Sequence, residues 1–268
     1  MKKARLTSPI PFALFAALLI LSSCGTLEVE SRWADNAISV DGRLDDWQGR
    51  LHDIEDMNVS FGLQNDGRFL YLALRAADPR VMGQIMRSGL IVWFDPSGGK
   101  GRIWGVRYPL ARDWSDFQGL PGRGEEDRKR SRDAAREQLE EAEVIGPGRD
   151  EKARFKIGEI PGLKLAVVRS PGLFVYELSV PLEKAENAPF AAAAKPGAFV
   201  GLGIDTPKLD FVVPGRGMGG PGMGGMGPAG MGRGYPGRGG VLVGRGLRGA
   251  EPLKLELKVR LAEEPRRP

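Results

Sequence analysis

The tripeptide Asn65-Asp66-Gly67 lies between two strand-length apolar patterns, and it limits the fold more than any other stretch. Such a sequence favours the positive φ angles of a tight hairpin. Before it, Val59, Phe61 and Leu63 alternate with Asn58, Ser60, Gly62 and Gln64, the period of a half-buried strand. After it, Phe69-Leu70-Tyr71-Leu72-Ala73-Leu74 is apolar on both sides, which predicts a strand covered on both faces.

The same reading extends along the chain. Ile38 and Val40 predict a short strand, the Asp41-Gly42 pair turns it, and Asp45 and Asp46 are placed to cap a helical turn that carries Trp47 inward. A helical turn is expected over Val81 to Arg87. Leu90 to Phe94 is a second fully apolar run, ended by Asp95-Pro96-Ser97-Gly98-Gly99. Ile103 to Leu110 sets Trp104, Val106 and Tyr108 on one face of a strand. Further strand patterns occupy Arg154 to Ile160, Lys164 to Val168, Leu173 to Val180, Phe199 to Ile204, Leu209 to Val213 and Leu253 to Leu261. Many short strands and few helices predict an all-β sandwich, one domain over residues 38–261, with 262–268 as a tail.

Two stretches break the pattern. Residues 113–148 read as a charged helical insertion: Glu125/Lys129, Glu126/Arg130 and Arg136/Glu140 are spaced four apart, with a thin apolar stripe of Ala135, Leu139 and Ala142. Residues 214–250 form a Gly-, Met- and Arg-rich loop; 17 of the 35 residues from Gly215 to Gly249 are Gly, too little apolar surface to offset the chain entropy of folding. That loop is expected to be a disordered spacer.

The N-terminus carries an address. Lys2, Lys3 and Arg5 precede an apolar run from Ile10 to Leu21, shorter than the ~20 residues a membrane span requires. Leu21-Ser22-Ser23-Cys24 follows and resembles the lipobox of bacterial lipoprotein signal peptides. That resemblance implies cleavage of residues 1–23, acylation of Cys24, a tether over 24–37 and a lipid-anchored place in the cell envelope. Gly25, where the retention signal would be Asp, favours the outer membrane. Cys24 is the one Cys of the chain, so acylation leaves no thiol for a disulfide or metal cluster. Without residues 1–23, 36 basic residues face 34 acidic ones, a balance near neutrality that argues against nucleic acid as a partner.

Four motifs in order resemble carbohydrate-binding module family 9 and its DOMON-like relatives: Ile38-Ser39-Val40-Asp41-Gly42 with Asp46-Trp47; Asn65 to Leu74; Gly89 to Asp95; and Tyr176 to Leu182. The resemblance implies an immunoglobulin-like or jelly-roll β-sandwich that binds glycan ends without catalysis, a sugar lying between two Trp rings. Trp104 falls near the place of a first clamp ring, but no Trp follows Trp114; Phe190 or Phe199 would have to face it. Trp47 and Trp93, inside apolar patterns, read as core. Trp104, Tyr108 and Trp114, set among Gly and charged residues, are the ligand-binding candidates.

Other chemistry has less support. Asp41, Asp45 and Asp46 lack the dense ligand alternation of a calcium loop, His52 has no nucleophile-elbow partner, and Met223 and Met226 have no His or Cys beside them. The expectation is no catalytic residue, metal or cofactor. It is a lipid-anchored binding module for a glycan or other envelope component; the alternative is an assembly lipoprotein that meets a protein partner and no small ligand.

Overall fold

The computed structural model describes residues 26–54, 57–111, 125–148, 151–207 and 252–266. Among them, two sheets form a β-sandwich. The seven-stranded sheet runs, in spatial order, β1 (Thr26–Glu30), β13 (Lys254–Arg260), β12 (Phe199–Asp205), β6 (Ile91–Asp95), β7 (Trp104–Arg107), β8 (Glu141–Ile145) and β9 (Lys152–Lys156). The six-stranded sheet runs β10 (Lys164–Ser170), β11 (Leu173–Pro181), β5 (Phe69–Ala76), β4 (Val59–Asn65) and β2 (Arg32–Trp33), with β3 (His52–Ile54) also on β4. All pairs are antiparallel except β1 with β13 and β2 with β4.

Alternation determines what each sheet turns inward. Leu72 lies between Leu63 and Leu178, and Leu74 between Phe61 and Tyr176, in the six-stranded sheet. Val92, Phe94, Val106, Val144, Leu202 and Val259 come from the other sheet into the same core. Burying side chains of this size stabilises the fold by roughly 1.5–3 kcal/mol each.

The six-stranded sheet is covered on its outer side as well, which is why Phe69 to Leu74 is apolar on both faces. Trp47 is 1% exposed and packs with Ala34, Tyr71 and Ala73 in a second small cluster. Its ring lies on Gly62, where a Cβ would come within 2.6 Å of Cε3. The expected turn at Asp41-Gly42 is present, with Gly42 at φ +80°. What fastens it is Glu177 on β11, 1% exposed. Its Oε2 accepts from the N–H of Asp41 (2.9 Å) and Gly42 (2.6 Å), and its Oε1 from Trp47 Nε1 (2.6 Å).

Several expectations require correction. Ile38 and Val40 form no strand, and the 3-10 turn Asp45–Trp47 has no side-chain cap; Asp46 instead accepts from Ser39 N at 2.9 Å. The expected tether is, from Thr26 on, part of both sheets. Its alternation is too short to recognise, because its partner β13 comes from the far end of the chain. Between β1 and β2, Ser31 donates to Asn65 Oδ1 (2.5 Å) and accepts from Ala262 N (3.0 Å), and the Asn65 amide bonds both the N–H and C=O of Ala262. Ala262 is therefore fixed in the fold and does not begin a tail.

Among the described residues two α-helices complete the frame, α1 (Pro79–Ser88) and α2 (Glu125–Glu140). Asp78 caps α1 through the N–H of Arg80 and Val81. The charged insertion is only partly helical: β8 follows α2 at once, and Ala142 belongs to this strand, fully buried, not to a helix stripe. Gln138 secures the end of α2, donating to Met86 O (2.6 Å) and Leu110 O (2.7 Å). The loop at 214–250, the strand expected at Leu209 to Val213, and Cys24 lie outside the described residues.

Candidate functional site

Strand alternation reverses the expected roles of two Trp residues. Trp104 is 4% exposed, its ring stacked on Phe94 with centroids 4.5 Å apart, and its Nε1 donates to Ala191 O at 3.1 Å. Phe190 does lie beside Trp104, at 6.0 Å, but inside the sandwich. Tyr108 is also buried, its hydroxyl donating to Leu139 O at 3.1 Å, and burial pushes its pKa up. Neither residue offers a ring face to solvent. Trp114 lies outside the described residues, so the proposed Trp104–Trp114 pair is not brought together among them.

Trp93, read from sequence as core, instead lies half-buried on the outward face of the seven-stranded sheet. Its neighbours explain the surrounding glycines. Trp93 pairs with Gly105 on β7 and Gly203 on β12. A Cβ on Gly105 would come within 2.7 Å of the indole Cε3, and one on Gly203 within 3.3 Å of Trp93 Cβ. Gly105, which made Trp104 look exposed, is part of the bed for the ring on the opposite face.

The β6–β7 loop brings a cation over this ring. Asp95 folds the loop back, accepting from Ser97 N (2.9 Å), Ser97 Oγ (2.6 Å) and Gly101 N (2.7 Å). Burial pushes its carboxyl up, but these donors outweigh burial and hold it below the ordinary carboxylate range. Arg102 then places its guanidinium 5.5 Å from the Trp93 ring centroid, bonded to Asp205 and 3.4 Å from Glu256. Burial drives the Asp205 carboxyl above its ordinary range against the pull of Arg102. On the same outward face, Lys258 sits 4.1 Å over Phe199 and pairs with Glu28 at 3.1 Å.

The result is a shallow tray: a half-buried indole, a guanidinium over it, and two carboxylates, Asp205 and Glu256, paired with that guanidinium. Arg102 is more exposed than its two carboxylate partners, 41% of its side chain against 12% for Asp205 and 17% for Glu256. Among the described residues no group of His, Cys, Asp and Glu is arranged to hold a metal ion. His52 is exposed on β3, with its ring 5.5 Å from Phe61. Trp93 was legible only through its two Gly partners, which register alone brings into view.

No family model matches the chain, and no curated protein matches it. Among solved structures, the chain is similar to a carbohydrate binding module family 9 protein from Caldicellulosiruptor kristjanssonii in complex with glucose. The identity is 13%, over 69% of this chain and 80% of that one, with a TM-score of 0.34. A complex with cellotriose from the same organism is 15% identical over 69% and 78% of the two chains, also with a TM-score of 0.34.

Proposed function

We propose that this chain is a non-catalytic glycan-binding β-sandwich, held at the cell envelope by acylated Cys24. The observation that carries the binding reading is Trp93, a large aromatic ring kept on a solvent-facing sheet by two glycines and ringed by Arg102, Asp205 and Glu256. A pyranose presents an apolar C–H face to a ring and hydroxyls at its rim, and each hydroxyl both donates and accepts. An aromatic surface beside a guanidinium and two carboxylates meets both needs. Arg102 leaves the ring as the sugar seats, and its N–H groups then bond the sugar hydroxyls. The envelope address rests on the basic, apolar and Leu21–Cys24 segments of the N-terminus.

The test is affinity electrophoresis and calorimetry against a panel of neutral polysaccharides and oligosaccharides, with wild type and Trp93→Ala. Loss of the stacking surface is expected to weaken binding by roughly 10-fold or more, from ~1.5 kcal/mol of aromatic contact. Unchanged affinity in Trp93→Ala, or no retention of wild type on any member of the panel, refutes the reading. Globomycin-sensitive processing and acyl labelling at Cys24 test the anchor independently.

A further inference from the structure

At the opposite end of β5 from α1, a cleft of about 540 Å³ opens between three loops. They are the β4–β5 hairpin, with Gly67, Arg68 and Phe69, the β9–β10 connection from Gly158 to Lys164, and the segment after β11 that includes Glu183, Asn187 and Ala188. Its floor is apolar: Ile160 and Leu163 are each 4% exposed and Ala188 9%. Phe69 is half-buried in the wall, with the Arg68 guanidinium 5.4 Å from its ring centroid.

Two features give the cleft a chemistry. Arg68 and Lys164 are exposed, line the same opening, and form no salt bridge with any described residue. Some other cations of the described surface are already engaged, among them Arg102 with Asp205, Arg107 with Glu143, Arg136 with Glu140 and Lys258 with Glu28; what sets Arg68 and Lys164 apart is that they share one cleft mouth over an apolar floor. The hairpin is also fixed in shape. Asp66 Oδ1 accepts from Arg68 N (2.6 Å) and Phe69 N (2.7 Å), Asp66 Oδ2 from Tyr71 Oη (2.9 Å), and Leu182 N donates to Arg68 O (2.8 Å). Backbone ties on both sides thus hold Arg68 and Phe69 at the cleft wall before any ligand arrives, which lowers the ordering needed on binding.

We propose that this cleft is a second glycan site, specific for a carboxylate-bearing sugar, that is, a hexuronate unit of an acidic oligosaccharide. Arg68 and Lys164 bind the carboxylate, the guanidinium as a bidentate donor. Phe69 and the Ile160–Leu163 floor receive the C–H face of the ring. Glu183 and Asn187 accept from hydroxyls on the far side, and Glu183 sets the orientation by repelling the carboxylate. The volume suits a short oligosaccharide more than a single sugar. The site is separate from the Trp93 tray and stands or falls without it.

The experiment is calorimetric titration of the full chain with tetragalacturonate and, in parallel, with neutral cellotetraose. Wild type, Arg68→Ala/Lys164→Ala and Trp93→Ala are compared, each checked for an unchanged melting temperature. The double variant is expected to lose about tenfold or more in tetragalacturonate affinity, Trp93→Ala to keep it, and wild-type binding to weaken severalfold from low to physiological salt. Because both side chains are exposed, their removal leaves the fold intact; Phe69→Leu serves as a second variant with the same expected loss. The proposal is overturned if wild type does not bind tetragalacturonate, if the double variant binds it as wild type does, or if the loss appears only in Trp93→Ala. Loss of cellotetraose binding in Trp93→Ala alone bears on the tray and not on this cleft.

Discussion

Glu177 fastens the N-terminal cover to the six-stranded sheet, and Glu177→Gln tests how much of the fold depends on it. One carboxylate serves three donors: Asp41 N and Gly42 N on Oε2, and Trp47 Nε1 on Oε1. A glutamine has a single oxygen. Turned toward the two backbone N–H groups, it aims its own NH2 at the indole N–H; turned the other way, it opposes both backbone donors. At least one buried donor is left unpaired and the remaining bonds lose their charge, while the desolvation of an ionised group is relieved. The net loss expected is about 2 kcal/mol, and Glu177→Ala, which orphans all three donors, costs about 4 kcal/mol. Urea denaturation followed by Trp fluorescence measures both. The pH dependence supplies a second reading. Burial drives the Glu177 carboxyl above its ordinary range, against the opposing pull of the Trp47, Gly42 and Asp41 donors. The folded state therefore holds the proton more tightly than the unfolded chain does. The contribution of Glu177 is full below the unfolded value and declines as pH rises through the raised folded one. Wild type should show that decline as pH rises above the ordinary carboxylate value, and the Gln variant should lack it. A Glu177→Gln protein within about 0.5 kcal/mol of wild type, with the same pH slope, would refute the reasoning.

Trp104→Ala is expected to destabilise the chain by about 3–5 kcal/mol, because it empties a core position against Phe94 and strands the Ala191 carbonyl; a stable variant with altered ligand binding would restore Trp104 as a contact residue. Tyr176→Phe should raise the melting temperature slightly, by up to about 1 kcal/mol in stability. The Tyr176 hydroxyl is fully buried with no partner among the described residues, and burial drives its pKa far up. A destabilised Phe variant, measured by thermal melt, would mean that an ordered water satisfies that hydroxyl.

Short-range signals carried most of the fold: the Asn65-Asp66-Gly67 hairpin, the doubly apolar β5, the unbroken alternation of β13, and the turn at Asp41-Gly42. What sequence could not convey was register across distant strands. Trp93 and Trp104 differ only in which side of a strand they occupy. In isolation, the apolar run around Trp93 and the glycines around Trp104 point to the wrong sides. Only the pairing of Trp93 with Gly105 and Gly203 shows that those glycines serve the opposite face. β1 was missed for a related reason: five residues with Leu27 and Val29 form a strand only because β13 arrives to pair with them. Glu177 and Gln138 are polar residues whose partners lie on segments remote in sequence, so nothing local marks them as structural.

The parallel pairing of β1 with β13 has a mechanical consequence. Tension drawn between Thr26 and Arg260 pulls these two strands past one another along their length. The interstrand bonds from Thr26↔Glu256 to Glu30↔Arg260 are then loaded together in shear, not unzipped one at a time. A chain tugged at these two points is thus gripped first at the β1–β13 seam, and the sandwich behind that seam feels the force last.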